Sequence, residues 1–187
     1  MSDERNTKAR PLLIRRYTNI LALYRKYWDA YGGWKEIAVS PYFHASALLA
    51  LLSGWKLATT EDPWFGYVLD VTPSMLGFTL SGYAFLIGVG SERFREAMRG
   101  PEPDGSPSPF ISLNASFVHF IAMQFLALVY AVLGKVFCLT DIFTSCLGLL
   151  IFYYSLFLSL ATVFAIFWAA WEYDRSPKEE DNEGDAV

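Results

Sequence analysis

Acidic and basic side chains are missing from the centres of the longest apolar stretches of this 187-residue chain. Four stretches are nearly free of them: residues 40–58, 72–90, 116–134 and 144–171. Ion-coupled transporters and proton pumps usually keep an ionisable group in the middle of a span, so the pattern argues against that class. It instead predicts four transmembrane helices, since about 20 apolar residues suffice to cross a bilayer.

Catalytic signatures are also missing. The chain has no HExxH, GxSxG, phosphate-binding loop or paired-glycine fingerprint, and these motifs are the usual signs of metallopeptidase, hydrolase or nucleotide chemistry. We therefore expect no enzymatic activity and no cofactor. The net charge of -4 arises largely in the C-terminal tail, and it gives no indication of nucleic-acid binding.

The N-terminal segment, residues 1–38, lacks the apolar core and the cleavage site of a secretory signal, so we expect the mature chain to begin at its first residue. Within it, residues 11–31 place apolar and aromatic side chains on one helical face and charged ones on the other. Gly32 and Gly33 then predict the end of the helix. Five charges along its body make a span costly, so we interpret it as an amphipathic interfacial helix. A soluble helix that packs on the bundle or binds a partner is the alternative.

The composition is 53% hydrophobic and 17% aromatic, with only 18% charged residues, which departs from soluble domains. The predicted fold is an all-α integral membrane protein, a four-transmembrane-helix bundle with an N-terminal amphipathic interfacial helix. The transmembrane domain covers residues 39–171. Residues 172–187 are acidic with few apolar side chains, so we expect a disordered cytoplasmic tail.

The basic residues indicate the orientation. With four spans, Lys56 and Lys135 are the two of the 15 basic residues that fall on one side of the membrane. Since basic residues near membrane ends are retained in the cytoplasm, both termini and the proline-rich loop at residues 99–109 should be cytoplasmic. The predicted location is the plasma (inner) membrane, with multiple passes.

Small residues share one face of the second predicted span. Gly77, Ser81, Ala84 and Gly88 are spaced by four, three and four residues, and such a face permits close contact between helices in lipid. We expect it to be a helix-packing face, within the bundle or between copies of the chain.

Four ionisable residues fall near the predicted cytoplasmic ends of the spans: His44, His119, Glu92 and Glu172. Imidazole and carboxylate groups could together bind zinc or another transition metal, and a histidine there could sense protons. The alternative is that these are boundary residues satisfied by water or backbone. The sequence spacing fixes none of their distances, so they are weak candidates.

The two cysteines, Cys138 and Cys146, lie on either side of the turn between the third and fourth spans. A disulfide across this turn is one interpretation, because that side of an inner membrane permits oxidation. Two free thiols that act as small buried hydrophobic side chains are the other.

The function hypotheses differ in where polar surface lies. A homo-oligomeric pore-like or membrane-perturbing subunit needs a wettable stripe along a span, and Gln124, Ser155, Ser159 and Thr162 are the candidates. Ordinary hydrogen bonding between helices would use the same residues. The alternative is a membrane anchor or sensor that recruits a soluble cytoplasmic protein, because the charged helix, loop and tail offer more soluble surface than a pore requires. A membrane enzyme using the histidine and glutamate layer ranks third.

The run GFTLSGYAFLIGVGSERF resembles segments of small bacterial membrane proteins, some of them encoded beside defence systems. The resemblance covers one helix and carries no catalytic motif. We transfer no function from it. A bacterial defence or stress system is only a setting for the recruiting alternative.

Overall fold

The computed structural model describes residues 12–58, 63–89 and 106–175, at a few of these positions for the backbone alone. These ranges are all-helical and contain no strand. The six helices are α1 Leu12–Tyr31, α2 Gly33–Val39, α3 Pro41–Ala58, α4 Trp64–Val89, α5 Pro109–Phe137 and α6 Ile142–Arg175. The predictions for the first residues of the chain, most of the proline-rich loop and the acidic tail after Arg175 lie outside the described residues. The first four residues of the predicted disordered tail, 172–175, are helical and belong to α6.

The prediction of four spans is shown in part, for two helices and not for all four. Among the described residues, Pro109–Phe137 and Ile142–Trp168 are long and apolar enough to cross a membrane. If the bent pair α2 and α3 counts as one span, the number rises to three. The pair bends by 61° between Val39 and Pro41, because a residue before proline avoids helical geometry. α3 alone has only 18 residues and carries polar residues near both ends. α4 has 26 residues, but its described part is diluted by polar residues and Pro73.

α4 begins earlier than the sequence suggests. The second span is predicted over residues 72–90, but the helix runs from Trp64 and so includes eight residues before that stretch. Asp70 is exposed, so the helix can include this charged residue, which interrupts the apolar pattern of the sequence. The start at Trp64 follows Pro63, a residue well suited to a helix N-terminus.

α6 lies at the centre of the described helices. It packs against α3 along one side and against α5 along another, while α4 contacts both α5 and α6. α1 packs on α5, and α3 and α4 barely touch each other. The predicted antiparallel hairpin of the third and fourth spans is therefore present as α5 and α6, and it forms the body on which the other helices assemble.

The Trp64 side chain occupies the gap between the two helices of this hairpin. It is 1% exposed, and its indole Nε1–H donates to the Leu139 carbonyl oxygen at 2.8 Å. A Cβ atom on Gly134 would lie 2.7 Å from the indole ring, and one on Gly148 would lie closer still. Both glycines are therefore required by the indole, which also stacks on Tyr130 at a centroid distance of 5.3 Å.

α3 approaches α6 closely at another glycine. A Cβ on Gly54 would overlap the Cys146 side chain and crowd its backbone. Ala50, one turn earlier, is also buried, so two small residues let the helix backbones come together. Both Cys138 and Cys146 are free thiols in this arrangement, and Cys146 serves as the surface against which Gly54 packs.

The turn of the hairpin is fixed by local hydrogen bonds. Cys138 ends α5 with a positive φ of 54°, and Asp141 caps α6. The Asp141 carboxylate accepts hydrogen bonds from the backbone N–H groups of Phe143 and Thr144, both at 3.1 Å, and from the Thr144 hydroxyl at 2.7 Å. These bonds, with the one from the Thr144 side chain foremost, lower the pKa of Asp141.

We predict that alanine substitutions at Gly148 and Gly77 have opposite effects on stability. Gly148→Ala places a methyl group in space that the indole of Trp64 occupies, and such overpacking lowers the free energy of unfolding by about 1–3 kcal/mol. Gly77→Ala meets no atom within 4 Å, so it should gain up to about 1 kcal/mol of helix propensity. Both can be measured by titrating the detergent-purified protein with SDS and following its helical circular dichroism. Equal effects of the two variants would contradict the packing of Trp64 on the hairpin.

Candidate functional site

A buried histidine joins the first helix to the bundle. His119, on α5, is 2% exposed. Its Nδ1 lies 2.5 Å from the Tyr27 hydroxyl of α1, and its Nε2 lies 3.3 Å from the Tyr154 hydroxyl of α6. Both ring nitrogens therefore have a partner, and the three helices meet at this imidazole.

Tyr31 completes the cluster. Its ring stacks on the imidazole of His119 with a centroid distance of 3.9 Å and an angle of 19°. Its hydroxyl lies 3.2 Å from that of Tyr154. We call these four residues, Tyr27, His119, Tyr154 and Tyr31, the latch cluster, because they contribute the side-chain hydrogen bonds between α1 and the α5–α6 hairpin.

The hydrogen bonds of the latch cluster form one continuous chain. A neutral imidazole donates from one nitrogen and accepts at the other. If Tyr27 donates to Nδ1, then Nε2–H donates to Tyr154 and Tyr154 donates to Tyr31. In the opposite sense Tyr31 donates to Tyr154, which donates to Nε2, and Nδ1–H donates to Tyr27. The direction of the whole chain is therefore set at once by the tautomer of His119.

The two tyrosines of α1 stay protonated in the latch cluster. Burial raises the pKa of Tyr27, and the neighbouring Tyr24 and Tyr154 add to the shift. Burial also raises the pKa of Tyr31, followed by its hydrogen bond with Tyr154. Each phenol therefore keeps its proton at every physiological pH and can donate.

Aromatic residues of α1 and α2 support the latch cluster from outside. Tyr24 stacks on Trp28 with a centroid distance of 5.9 Å, and Trp28 meets Trp34 edge to face at 4.9 Å. Trp34 can contact Trp28 because Gly32 and Gly33 adopt φ angles of 99° and 67°. Residues other than glycine rarely adopt such positive φ angles. These glycines turn the chain sharply between α1 and α2.

A cleft of about 670 Å³ lies beneath α1. Its outer wall comes from aromatic residues of α1 and α2, and its inner wall from α5 and α6. Three members of the latch cluster, Tyr27, His119 and Tyr154, form part of its surface. The volume falls within the roughly 300 to 1,000 Å³ typical of small-molecule sites.

A second, smaller cavity of about 290 Å³ lies at the bend between α2 and α3. It is lined by Tyr31, Glu36, Ser40, Ser116 and Thr162 among others, and so is more polar than the cleft. Tyr31 therefore stands between the two cavities, with its ring on His119 and its other side facing the Glu36 cavity.

The predicted metal layer is not assembled in the described residues. No group of three or more histidine, cysteine, aspartate or glutamate side chains there could hold a metal ion. His44 is exposed whereas His119 is buried, and both nitrogens of His119 are engaged by tyrosines. Glu92 and the side chain of Glu172 lie outside the described part of the chain.

Three of the four residues of the candidate polar stripe are buried inside the protomer, and Ser159 is half-buried. Gln124 and Ser155 are fully buried, and Thr162 is 6% exposed. Ser155, Ser159 and Thr162 each donate to a carbonyl oxygen of their own helix. Gln124 Nε2 donates to Thr79 on α4 at 3.2 Å, while Gln124 Oε1 has no partner among the described residues. These groups serve hydrogen bonding within and between helices.

The small face of the second predicted span points away from the described bundle. Gly77, Ser81 and Ala84 are exposed, and nothing surrounds Gly77 within 4 Å. The surroundings of Gly88 are not described. Close packing between helices occurs instead at Gly54, Gly134 and Gly148, so none of the described helices packs closely on the small face at Gly77.

Sequence reasoning missed the three tyrosines of the latch cluster as functional residues. Tyr31 was assigned to the apolar face of the first helix, and Tyr27 and Tyr154 were not singled out. The available signal was the spacing of Tyr24, Tyr27, Trp28 and Tyr31, which brings four aromatic rings to one helical face. Such a face predicts a packed contact, but not the histidine it meets.

The comparisons with known proteins give no relative. No protein family model matches the chain, and neither a curated protein nor a solved structure is significantly similar to it. The function must therefore be argued from the geometry of the chain itself.

We predict that Tyr27→Phe loosens the first helix. The substitution removes one hydroxyl and leaves Nδ1 of buried His119 without its partner, at a cost of about 1–3 kcal/mol. Trypsin should then cleave after Arg25 and Lys26 about tenfold faster or more. Tyr17→Phe is the matched control, because Tyr17 is 67% exposed. Equal cleavage rates for the two variants would mean that the latch cluster does not hold α1.

Proposed function

We propose that this protein is a membrane anchor that presents its first helix to a soluble cytoplasmic partner. The observation that carries the proposal is the docking of α1 by its C-terminal half alone. Tyr27 and Tyr31 are tied to the bundle, whereas Tyr17, Ile20 and Leu21 of the preceding turns are exposed. An amphipathic segment that is free at one end and latched at the other is suited to binding and release.

The membrane setting is supported by the apolar surface. Large hydrophobic side chains are exposed on all four long helices after α2, among them Leu48, Phe78, Phe125 and Phe164. Soluble monomers rarely expose contiguous apolar patches beyond a few hundred Å². Lipid is the solvent that such a surface favours, and two helices have the length and apolarity to cross it.

We propose that α3 and α4 cross the membrane as well, which restores the four-span topology. α4 is 26 residues long, and α3 is extended by α2 through the bend. Both termini and the loop before α5 then face the cytoplasm of a bacterial cell, in agreement with the distribution of basic residues. The free turns of α1 lie at the inner surface, where Arg15 and Arg16 are exposed to a soluble partner.

A pore-like homo-oligomer is the second candidate, and the exposed small face of α4 favours it. Ser81 and Ala84 are exposed beside Gly77, whose surroundings are empty. A second copy could pack closely there. Its polar path would have to be built from residues other than Gln124 and Ser155, since these are buried within one protomer.

Topology can be tested with reporter fusions after residues 61, 104 and 176. Four spans predict that the fusion at residue 61 reports the periplasm and the other two report the cytoplasm. If α5 and α6 are the only spans, the fusion at residue 61 reports the same side as the one at residue 104. A cytoplasmic signal at all three positions would therefore reject crossing by α3 and α4.

Recruitment can be separated from conduction with one set of variants. A recruiting anchor predicts that liposomes containing the protein remain tight to ions over a range of pH and voltage. It also predicts that Arg15→Glu with Arg16→Glu abolishes capture of a soluble protein, while Lys135→Glu, at the opposite end, leaves capture intact. Ser159→Leu should be silent in both assays. Ion flux that Ser159→Leu blocks would instead favour the pore-like oligomer.

A further inference from the structure

The cleft beneath α1 has walls of hydrocarbon. Trp28, Trp34, Phe43, Met123 and Leu150 are among the side chains that line it. Of the polar atoms of its lining residues, the hydroxyl of Tyr27 and both nitrogens of His119 already have partners. A polar ligand would lose its water and gain few hydrogen bonds, which is costly. The cleft therefore favours an apolar occupant.

The cleft opens onto the outer surface of α5. Phe125, Leu126 and Val129 line it, and the same three side chains are exposed on the part of the surface that we assign to lipid. The apolar surface is continuous from the outside of the bundle into the cleft. An occupant can thus enter sideways from the bilayer without crossing water.

Exposed aromatic rings also line the cleft, and a basic residue lies beside them on α1. Tyr24 and Trp34 line the cleft and are 53% and 73% exposed, as expected of side chains at the headgroup level. Arg25 lies one helical turn before Trp28, at the flank of the aromatic face, and is exposed. Guanidinium groups bind phosphate with good geometry.

From these three features we infer that the cleft holds one acyl chain of a bilayer phospholipid, with Arg25 positioned for its phosphate. The inference rests on the proposed membrane location of the protein, and it adds a lipid site next to the latch cluster. The chain would contact Tyr27 and His119 at the inner end of the cleft. A bound lipid would thereby touch the residues that hold α1 in place.

The test uses the full-length protein in lipid nanodiscs that contain a phospholipid with a photoactivatable diazirine in the middle of one acyl chain. Cross-linked residues are mapped by mass spectrometry. We expect labelling at Trp28 and Met123 in the cleft and at Leu48 on the outer surface. Ala122→Phe, which fills the cleft, should reduce labelling at Trp28 and Met123 about tenfold and leave Leu48 unchanged.

Ala170→Phe is the matched control, because Ala170 is also exposed but does not line the cleft, and it should change nothing. Arg25→Glu should weaken labelling in the cleft only. Should Ala122→Phe prove unstable, Leu126→Trp fills the cleft from its exposed rim. Cleft labelling that is absent, or unaffected by these variants, overturns the lipid site.

Two further outcomes are distinguishable. A free fatty acid carrying the same diazirine should label the cleft less than the phospholipid does. If it labels equally well and Arg25→Glu has no effect, the assignment to a phospholipid is overturned. If neither the cleft nor Leu48 is labelled, the proposed membrane location fails, and the lipid site fails with it.

Discussion

The insertion of the Trp64 indole between Gly134 and Gly148 is the contact on which the arrangement of the helices depends. One helix terminus is thereby tied to both members of the α5–α6 hairpin at once. The bond from Nε1 to the Leu139 carbonyl oxygen matters as much as the packing, because a buried indole N–H without an acceptor would be costly. The turn that Asp141 stabilises presents that carbonyl, so local capping and long-range packing depend on each other.

The hairpin is held at two separated levels. Gly134 and His119 are 15 residues apart on α5, which corresponds to about 22 Å of helix. Trp64 attaches α4 near the turn, and the latch cluster attaches α1 near the other end of α5. The first attachment is a buried wedge enclosed by glycines, whereas the second is a short chain of hydrogen bonds with an open cleft at its side. The two ends of the hairpin therefore differ in how readily their partner helix can leave.

Part of this structure was predictable from the sequence, and the physical reason is periodicity. The amphipathic helix, its end at Gly32 and the α5–α6 hairpin follow from local patterns of apolar residues and glycine. The start of α4 does not, because Asp70 hides the helix and the burial of Trp64 depends on glycines 70 to 84 residues later in the chain. The latch cluster could not be predicted for the same reason, since Tyr27 and His119 are 92 positions apart in the sequence. The small face at Gly77 fits a helix interface by spacing, yet no spacing says whether a neighbour is present.

The strength of the latch determines whether α1 can act as a switch. Each neutral hydrogen bond contributes about 0.5–1.5 kcal/mol net, and a stacked aromatic pair adds about 0.5–1.5 kcal/mol. Two hydrogen bonds from α1 and the closer of its two stacks on His119, that of Tyr31, thus amount to about 1.5–4.5 kcal/mol. A difference of that size leaves a minor undocked population of roughly 0.1–10%. A partner that binds undocked α1, or a lipid chain that alters the contacts of Tyr27, needs a differential affinity of only a few kcal/mol to invert the equilibrium. Trp64 offers no such opportunity, because its ring cannot leave without opening a cavity in the hairpin. Under the proposed function, the buried wedge at Trp64 is the permanent attachment and the latch cluster is the releasable one, as a recruiting anchor requires.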